Sequence, residues 1–258
     1  MRFKLLSKST SKNLVDDLFY NKVNSLDDIP KLFFDINDEI FQDQEDASDM
    51  QKMQTIVSWL RLNITGGRGL SLSSELALKQ MLNNDGGVCS DLVQIFNNFC
   101  VINNLRVKEW GITHYPFNKK FGGHSFNEVY ISELNKWVMV DISHCIVFKN
   151  DKDIYLSVLE WFELNAKDNN RLSYDCFLKG MPIKVNLLDL LYKDPATIPF
   201  VILNYKNSLY DKYLDRYRGY LPVFVIHFLI YLKGKSYRYE FPLHDYKKIF
   251  DFRQFLFS

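Results

Sequence analysis

Between residues 86 and 141 the chain sets a cysteine, a histidine and an aspartate at the ends of three neighbouring elements, which narrows the folds open to it. Gly86-Gly87-Val88-Cys89-Ser90-Asp91 closes a turn-forming run, and Leu92, Val93, Ile95, Phe96, Phe99 and Cys100 then follow at helical spacing. Cys89 therefore stands at a helix N-terminus, where the dipole and unpaired backbone N–H groups favour thiolate over thiol. A second diglycine, Gly122-Gly123, precedes His124, which heads an alternating run to Ile131. After Ser132-Glu133-Leu134-Asn135 comes another alternating run, Lys136 to Asp141. If that short turn pairs Ile131 with Lys136, Phe126 lies opposite Asp141, and His124 projects on the face of Asp141 one diagonal step away. A slip of one residue would put them on opposite faces. The order supplies a nucleophile, a base and an orienting carboxylate.

Other residues compete for these roles. Cys100, Cys145 and Cys176 read as small buried core residues. Cys100 lies about three helical turns from Cys89, roughly 16 Å, too far for a resolving partner. His114 sits at a strand end and is the fallback for His124. His144 should face away from Asp141 if its strand continues, because their separation is odd. Ser90 and Ser125 lie in no Gly-x-Ser-x-Gly elbow. Cys89, His114, His124, His144 and Cys145 hold no pair at metal-ligand spacing, so no metal or cofactor is expected. The glycine run Gly66-Gly67-Arg68-Gly69 lacks the Lys-Ser/Thr of a phosphate loop and reads as a turn.

The rest of the 258-residue chain frames this segment. The acidic stretch Asp43 to Asp49 leads into a helix beginning at Met50 and ending near Asn63, and a second helix spans Ser73 to Leu82. Strands are expected at Val107–Thr113, His124–Ile131 and Lys136–Asp141, with Ile142–Phe148 extending the sheet. Trp137, Met139 and Asp141 share one strand face, so Trp137 should be buried. Leu156–Leu164 reads as a helix. Ile198–Tyr205, Leu221–Leu232 and Ser236–Phe241 read as strands, the last two joined by Lys233-Gly234-Lys235. Leu221–Leu232 is too short to span a bilayer, so no membrane partner is expected. A net charge of +1 argues against nucleic acid as a partner, and Lys119-Lys120 and Lys233 to Arg238 read as solvated loops. Four cysteines in a chain this long are no disulfide framework, and the N-terminus lacks an apolar secretory core. A cytoplasmic protein is expected.

The segment from about Met50 to Phe148 resembles the transglutaminase-like superfamily. The resemblance rests on the helix with Trp59, on Gly87-Val88-Cys89, on His124-x-x-x-Glu128-Val129-Tyr130 and on Trp137-x-x-x-Asp141. Asp141 is followed by Ile142-Ser143 where members usually have Pro-Thr, and His124 by Ser125-Phe126 where Ala-Trp is frequent. The resemblance implies an α+β papain-like fold, with the nucleophile's helix packed on an antiparallel sheet. It also implies a catalytic triad of Cys89, His124 and Asp141. The expected division is an N-terminal extension (1–49) packed on the core, a catalytic core (50–150), and a family-specific, aromatic-rich α/β region (151–258). The expected activity is acyl transfer from an amide of a peptide, protein or glycoconjugate, through a thioester, to an amine or water. The alternative is a non-catalytic module that binds a peptide or glycan in the same groove.

Overall fold

The alternating runs of the sequence become one sheet that takes strands from all three parts of the chain. In the computed structural model, which describes residues 2–42, 46–178 and 180–249, the strands are β1 (Ser7–Ser9), β2 (Val107–His114), β3 (His124–Ile131), β4 (Lys136–Asp141), β5 (Ile146–Lys149), β6 (Ser173–Cys176), β7 (Thr197–Leu203) and β8 (Arg238–Phe241). Their order across the sheet is β1-β8-β7-β2-β3-β4-β5-β6. Only β1 and β8 run parallel; every other neighbouring pair is antiparallel. The architecture is α+β, as expected.

Helices cover both faces. They are α1 (Arg2–Leu6), α2 (Lys12–Asp16), α3 (Lys31–Ile40), α4 (Asp49–Asn63), α5 (Ser74–Leu82), α6 (Cys89–Ile102), α7 (Val158–Asp168), α8 (Val185–Tyr192), α9 (Asn207–Tyr217), α10 (Val223–Leu232) and α11 (Tyr246–Ile249). Apolar residues of α3 to α6, α9 and α10 pack with Val107, Val129, Val138 and Val140 on one face. Val15 of α2, Trp161 of α7 and Leu188 and Tyr192 of α8 pack with Trp110, Phe126 and Met139 on the other. Strand alternation produces this split, because odd and even positions of one strand go to opposite faces. Helix α4 opens on a capping box between Ser48 and Gln51; of the acidic stretch before it, residues 43–45 lie outside the described residues.

Two expectations need correction, and a third holds by a different route. Leu221–Leu232 holds a helix, not a strand: Pro222 caps it, Ile226 and Ile230 are buried one turn apart, and Phe224, Phe228 and Leu232 are exposed. Lys233-Gly234-Lys235 thus joins a helix to β8. The stretch Ile142–Phe148 does extend the sheet, through the added strand β5 and not as a continuation of β4. A turn over residues 142–145, with Cys145 at φ 57°, sends β5 back so that Asp141 pairs with Ile146. Trp137 is only half-buried, beneath the Lys108 ammonium 3.7 Å from its ring centroid.

Glu128 shows how polar groups survive under the sheet. Its buried carboxylate lies 3.4 Å from the buried Lys108 ammonium and accepts from Trp110 Nε1 at 3.1 Å and the Val158 N–H at 2.8 Å. Removing it leaves the buried Lys108 ammonium with the exposed Asp16 carboxylate at 3.9 Å and strands two N–H donors. Glu128→Ala is expected to cost ~3–5 kcal/mol of stability, measured from the urea midpoint. Glu128→Leu combined with Lys108→Met should recover most of the loss; an undiminished midpoint in Glu128→Ala would show that the network contributes nothing.

Candidate active site

Cys89 is the first residue of α6 and is half-buried. Asp91 accepts the Val88 N–H at 2.9 Å and the Leu70 N–H at 3.2 Å, tying the helix start to the loop before it. The diglycine serves the same junction. The Gly67 N–H donates to the Gly87 carbonyl and the Gly87 N–H to the Arg68 carbonyl, both at 2.7 Å. Gly87 has φ +105°, and a Cβ there would meet Met81 at 2.4 Å, so only glycine suits it. The turn 66–69 is therefore the clasp that fixes the height of Cys89.

His124 is the first residue of β3, and Asp141 the last of β4. Ile131 pairs with Lys136 and Asn127 with Val140, the register inferred from the turn. Both side chains accordingly fall on the α7/α8 face, and His124 Nε2 lies 2.9 Å from Asp141 Oδ2. Cys89 arrives from the opposite face. The two meet because His124 starts its strand, where no further residue closes the gap. With Nε2 taken by Asp141, Nδ1 is the ring atom left for the Cys89 thiol.

Asp141 is fully buried and holds more than His124. Its Oδ2 also lies 2.7 Å from His144 Nδ1 and accepts from the Tyr192 hydroxyl at 2.8 Å, while Oδ1 accepts the His144 N–H at 3.3 Å. A carboxylate only accepts, so both ring nitrogens facing it carry protons. His144 does not turn away as strand alternation predicts, because the strand ends at Asp141. Neither His144 nor Tyr192 was legible as a site residue: one depends on a turn, the other arrives from α8. The fallback, His114, faces Asp194 at 3.5 Å and stacks on Phe121.

His124, Asp141 and His144 each place a ligand atom within 4.8 Å of the others, a spacing a metal ion could bridge. These atoms come from a strand start, a strand end and a turn, so no spacing motif announces them. The shared oxygen already accepts from both rings and from Tyr192. To hold a cation, both imidazoles would have to lose the protons now directed at that oxygen. The donor set fits a hydrogen-bond hub better than a metal centre.

The electrostatics follow from these contacts. Burial works against the Cys89 thiolate, but the hydrogen bond and positive charge of His124, with the Ser125 N–H, outweigh it and lower the thiol pKa. Burial also disfavours the His124 imidazolium; the charge of Asp141, its hydrogen bond and the Cys89 thiolate raise the ring to about 10. Burial would raise Asp141, but the charge and hydrogen bonds of His124, then of His144, hold it well below the carboxylate range. The contacts thus favour a thiolate, an imidazolium and a carboxylate in series. A cleft of about 800 Å³ runs past Cys89 and His124.

Residues 35–142 match the family model of the transglutaminase-like superfamily, a span that includes Cys89, His124 and Asp141. That segment of the chain is similar to the transglutaminase-like superfamily. The match starts in α3, earlier than the resemblance beginning at Met50. The chain is also similar to a crystal structure described as a candidate cysteine protease from Cytophaga hutchinsonii, at 17% identity and a TM-score of 0.35. That match covers 55% of this chain and 47% of the other, so this chain spans about half of its structural neighbour. No curated protein matches the chain. Among the described residues no helix is long and apolar enough to cross a membrane.

Two consequences are measurable. Burial pushes the Cys100 thiol well up and the Cys145 thiol to about 11, so iodoacetamide at pH 7 should label Cys89 much faster than either. His124→Ala should slow Cys89 labelling at least about tenfold; equal rates across these thiols would contradict the pairing. The stability of the His124–Asp141 pair also has a defined pH window. His124 is raised to about 10 from about 6.5 unfolded, so its contribution is full below pH 6.5 and lost as pH rises to 10. Asp141 is depressed, so its contribution holds above about pH 4, its unfolded value, and is lost on acidification. The stability gap between wild type and His124→Gln should therefore narrow from pH 6.5 to 10, read from urea midpoints.

Proposed function

We propose that this chain is a cysteine-dependent enzyme that takes the acyl group from an amide through a thioester on Cys89. The observation that carries the reading is the engagement of His124 Nε2 by the buried Asp141, which leaves Nδ1 for a thiol whose pKa is already lowered. The superfamily match supports a thiol hydrolase or acyltransferase as the class. Residues 50–150 form the catalytic core, with 1–49 as an extension packed on it and 151–258 as a family-specific region. The four free cysteines suit a reducing, cytoplasmic setting.

The steps follow from the charges at rest. The Cys89 thiolate bonds to the amide carbonyl carbon, and the oxygen takes the negative charge. The Cys89 N–H, at the start of α6, is one donor for that oxyanion. As the C–N bond breaks, His124 gives its Nδ1 proton to the departing amine. The neutral ring then takes a proton from water or from an amine acceptor, whose attack on the thioester releases the thiolate. Asp141 keeps the Nε2 proton in place throughout and stabilises the imidazolium. Hydrolysis or transfer depends on whether water or an amine holds the acceptor position. Peptides, proteins and glycoconjugates all carry the required amide.

Cys89→Ala should abolish turnover of an amide substrate and leave the fold intact, since no other group supplies a comparable nucleophile. Asp141→Asn should retain a trace, lowered by about 10⁴-fold as in analogous triads. Mass spectrometry of cell extract passed over the protein should find acyl adducts on Cys89 alone. Ordinary activity in Cys89→Ala would remove the triad from the mechanism.

A further inference from the structure

Glu109 is a buried acid, 4% exposed, that the acyl-transfer steps do not use, yet it lines the same cleft as Cys89 and His124. It lies on β2 opposite Asn127 of β3 and Ile202 of β7, and Ile202 in turn pairs with Tyr239 of β8. Residues paired across strands share a face, so Glu109, Ile202 and Tyr239 form a row along the cleft. Tyr205, Tyr210 and Tyr237 stand in the same wall, with ring centroids 4.9–5.8 Å apart.

Buried acids are ordinarily matched by a cation or by several donors. Among the described residues Glu109 receives one side-chain hydrogen bond, from Asn97 Nδ2 at 3.2 Å. Burial raises its pKa to about 8, opposed by the Asn97 bond and assisted by the negative charge of Cys89; no cation among the described residues acts on it. The other titratable groups around it are Tyr20 and Tyr205, both of which feel its charge, with Asp211 behind them and His227 of α10 in the cleft wall. By contrast Glu128, on the other face, has Lys108 and two N–H donors.

We propose that this end of the cleft is a subsite for an ammonium or guanidinium side chain of the substrate, held by the Glu109 carboxylate against tyrosine faces. A cation there forms a charge-assisted hydrogen bond with the carboxylate, and the negative faces of the rings add attraction. An apolar side chain would meet a carboxyl it cannot pair. The subsite rests on the thiol chemistry above only for naming the cation's bearer as the acyl-transfer substrate.

The test separates the two readings by measuring binding to the full-length Cys89→Ala chain, which turns nothing over. N-acetyl-lysine methylamide should bind at least tenfold tighter at pH 7 than its norleucine counterpart, by calorimetry. Burial, the main cause of the raised Glu109 pKa, persists in the Cys89→Ala chain, which loses only the smaller contribution of Cys89, so binding of the lysine probe at pH 7 should release protons, seen as a buffer-dependent enthalpy. Its affinity should rise from pH 6 to pH 7, while that of the norleucine probe stays flat. Glu109→Gln should remove both the preference and the proton release. Should that variant fail to fold, the pH series on the Cys89→Ala chain decides alone. Equal affinity for the two probes, or a lysine affinity independent of pH, overturns the subsite whatever the turnover assays give.

Discussion

The site depends on keeping one carboxylate charged in the middle of the protein. Asp141 has no exposed surface, and an ion stripped of water is costly unless donors replace the water. Here a strand, a turn and a helix provide them: His124 from β3, His144 from the turn after β4, and Tyr192 from α8. Each donor has a fixed position only if its element is in place, so the carboxylate acts as a joint for the sheet's second face. It also ties α8 to the site, since Tyr192 is supplied by that helix. Tyr192 is wedged among Phe126, Phe148 and Trp161 at ring distances of 4.6–5.8 Å, so its hydroxyl cannot wander.

A second constraint brings the thiol to this joint across the sheet. Cys89 belongs to the helix layer on one face, His124 and Asp141 to the other. Contact is made at a strand start, and glycines make the approach sterically feasible on both sides. Gly123, with φ +74°, would place a Cβ 2.9 Å from the Ile112 carbonyl, and Gly67 would place one 2.9 Å from Gly86 Cα. Side chains at either position would push the helix start and the strand start apart. The hydrogen bond between Cys89 and His124 would then be lost.

Much of this was legible in the sequence where geometry is local. The β3–β4 register followed from a short turn and strict alternation, and with it the meeting of His124 and Asp141. The helical run after Cys89 fixed its place at an N-terminus. What escaped was set by contacts that no local pattern encodes. His144 returns to Asp141 because Cys145 adopts a left-handed conformation, and cysteine gives no sign of that. Tyr192 reaches Asp141 across 51 positions of sequence. The run Val223–Leu232 is apolar at every position but His227, so neither a period of 2 nor of 3.6 shows in it; Pro222, which suits a helix start, was the usable signal. Glu109 beside Trp110 reads as the wet half of an alternating strand, yet α6 covers that half.

Asp141 and Glu109 also show that depth does not set the state of an acid. Their exposures, 0% and 4%, are nearly equal, and burial pushes both towards the neutral form. They diverge through their partners. Asp141 accepts from three side chains, at least one carrying positive charge, and stays ionised. Glu109 accepts from one neutral amide, feels the Cys89 thiolate as a like charge, and holds its proton near neutral pH. Cys89 and Asp141 both face the His124 ring, and its positive charge lowers the pKa of each. A further negative charge in the same cleft would oppose that effect on the thiol. A neutral Glu109 adds no such charge while the cleft is empty, and any group that ionises Glu109 must bring its own positive charge.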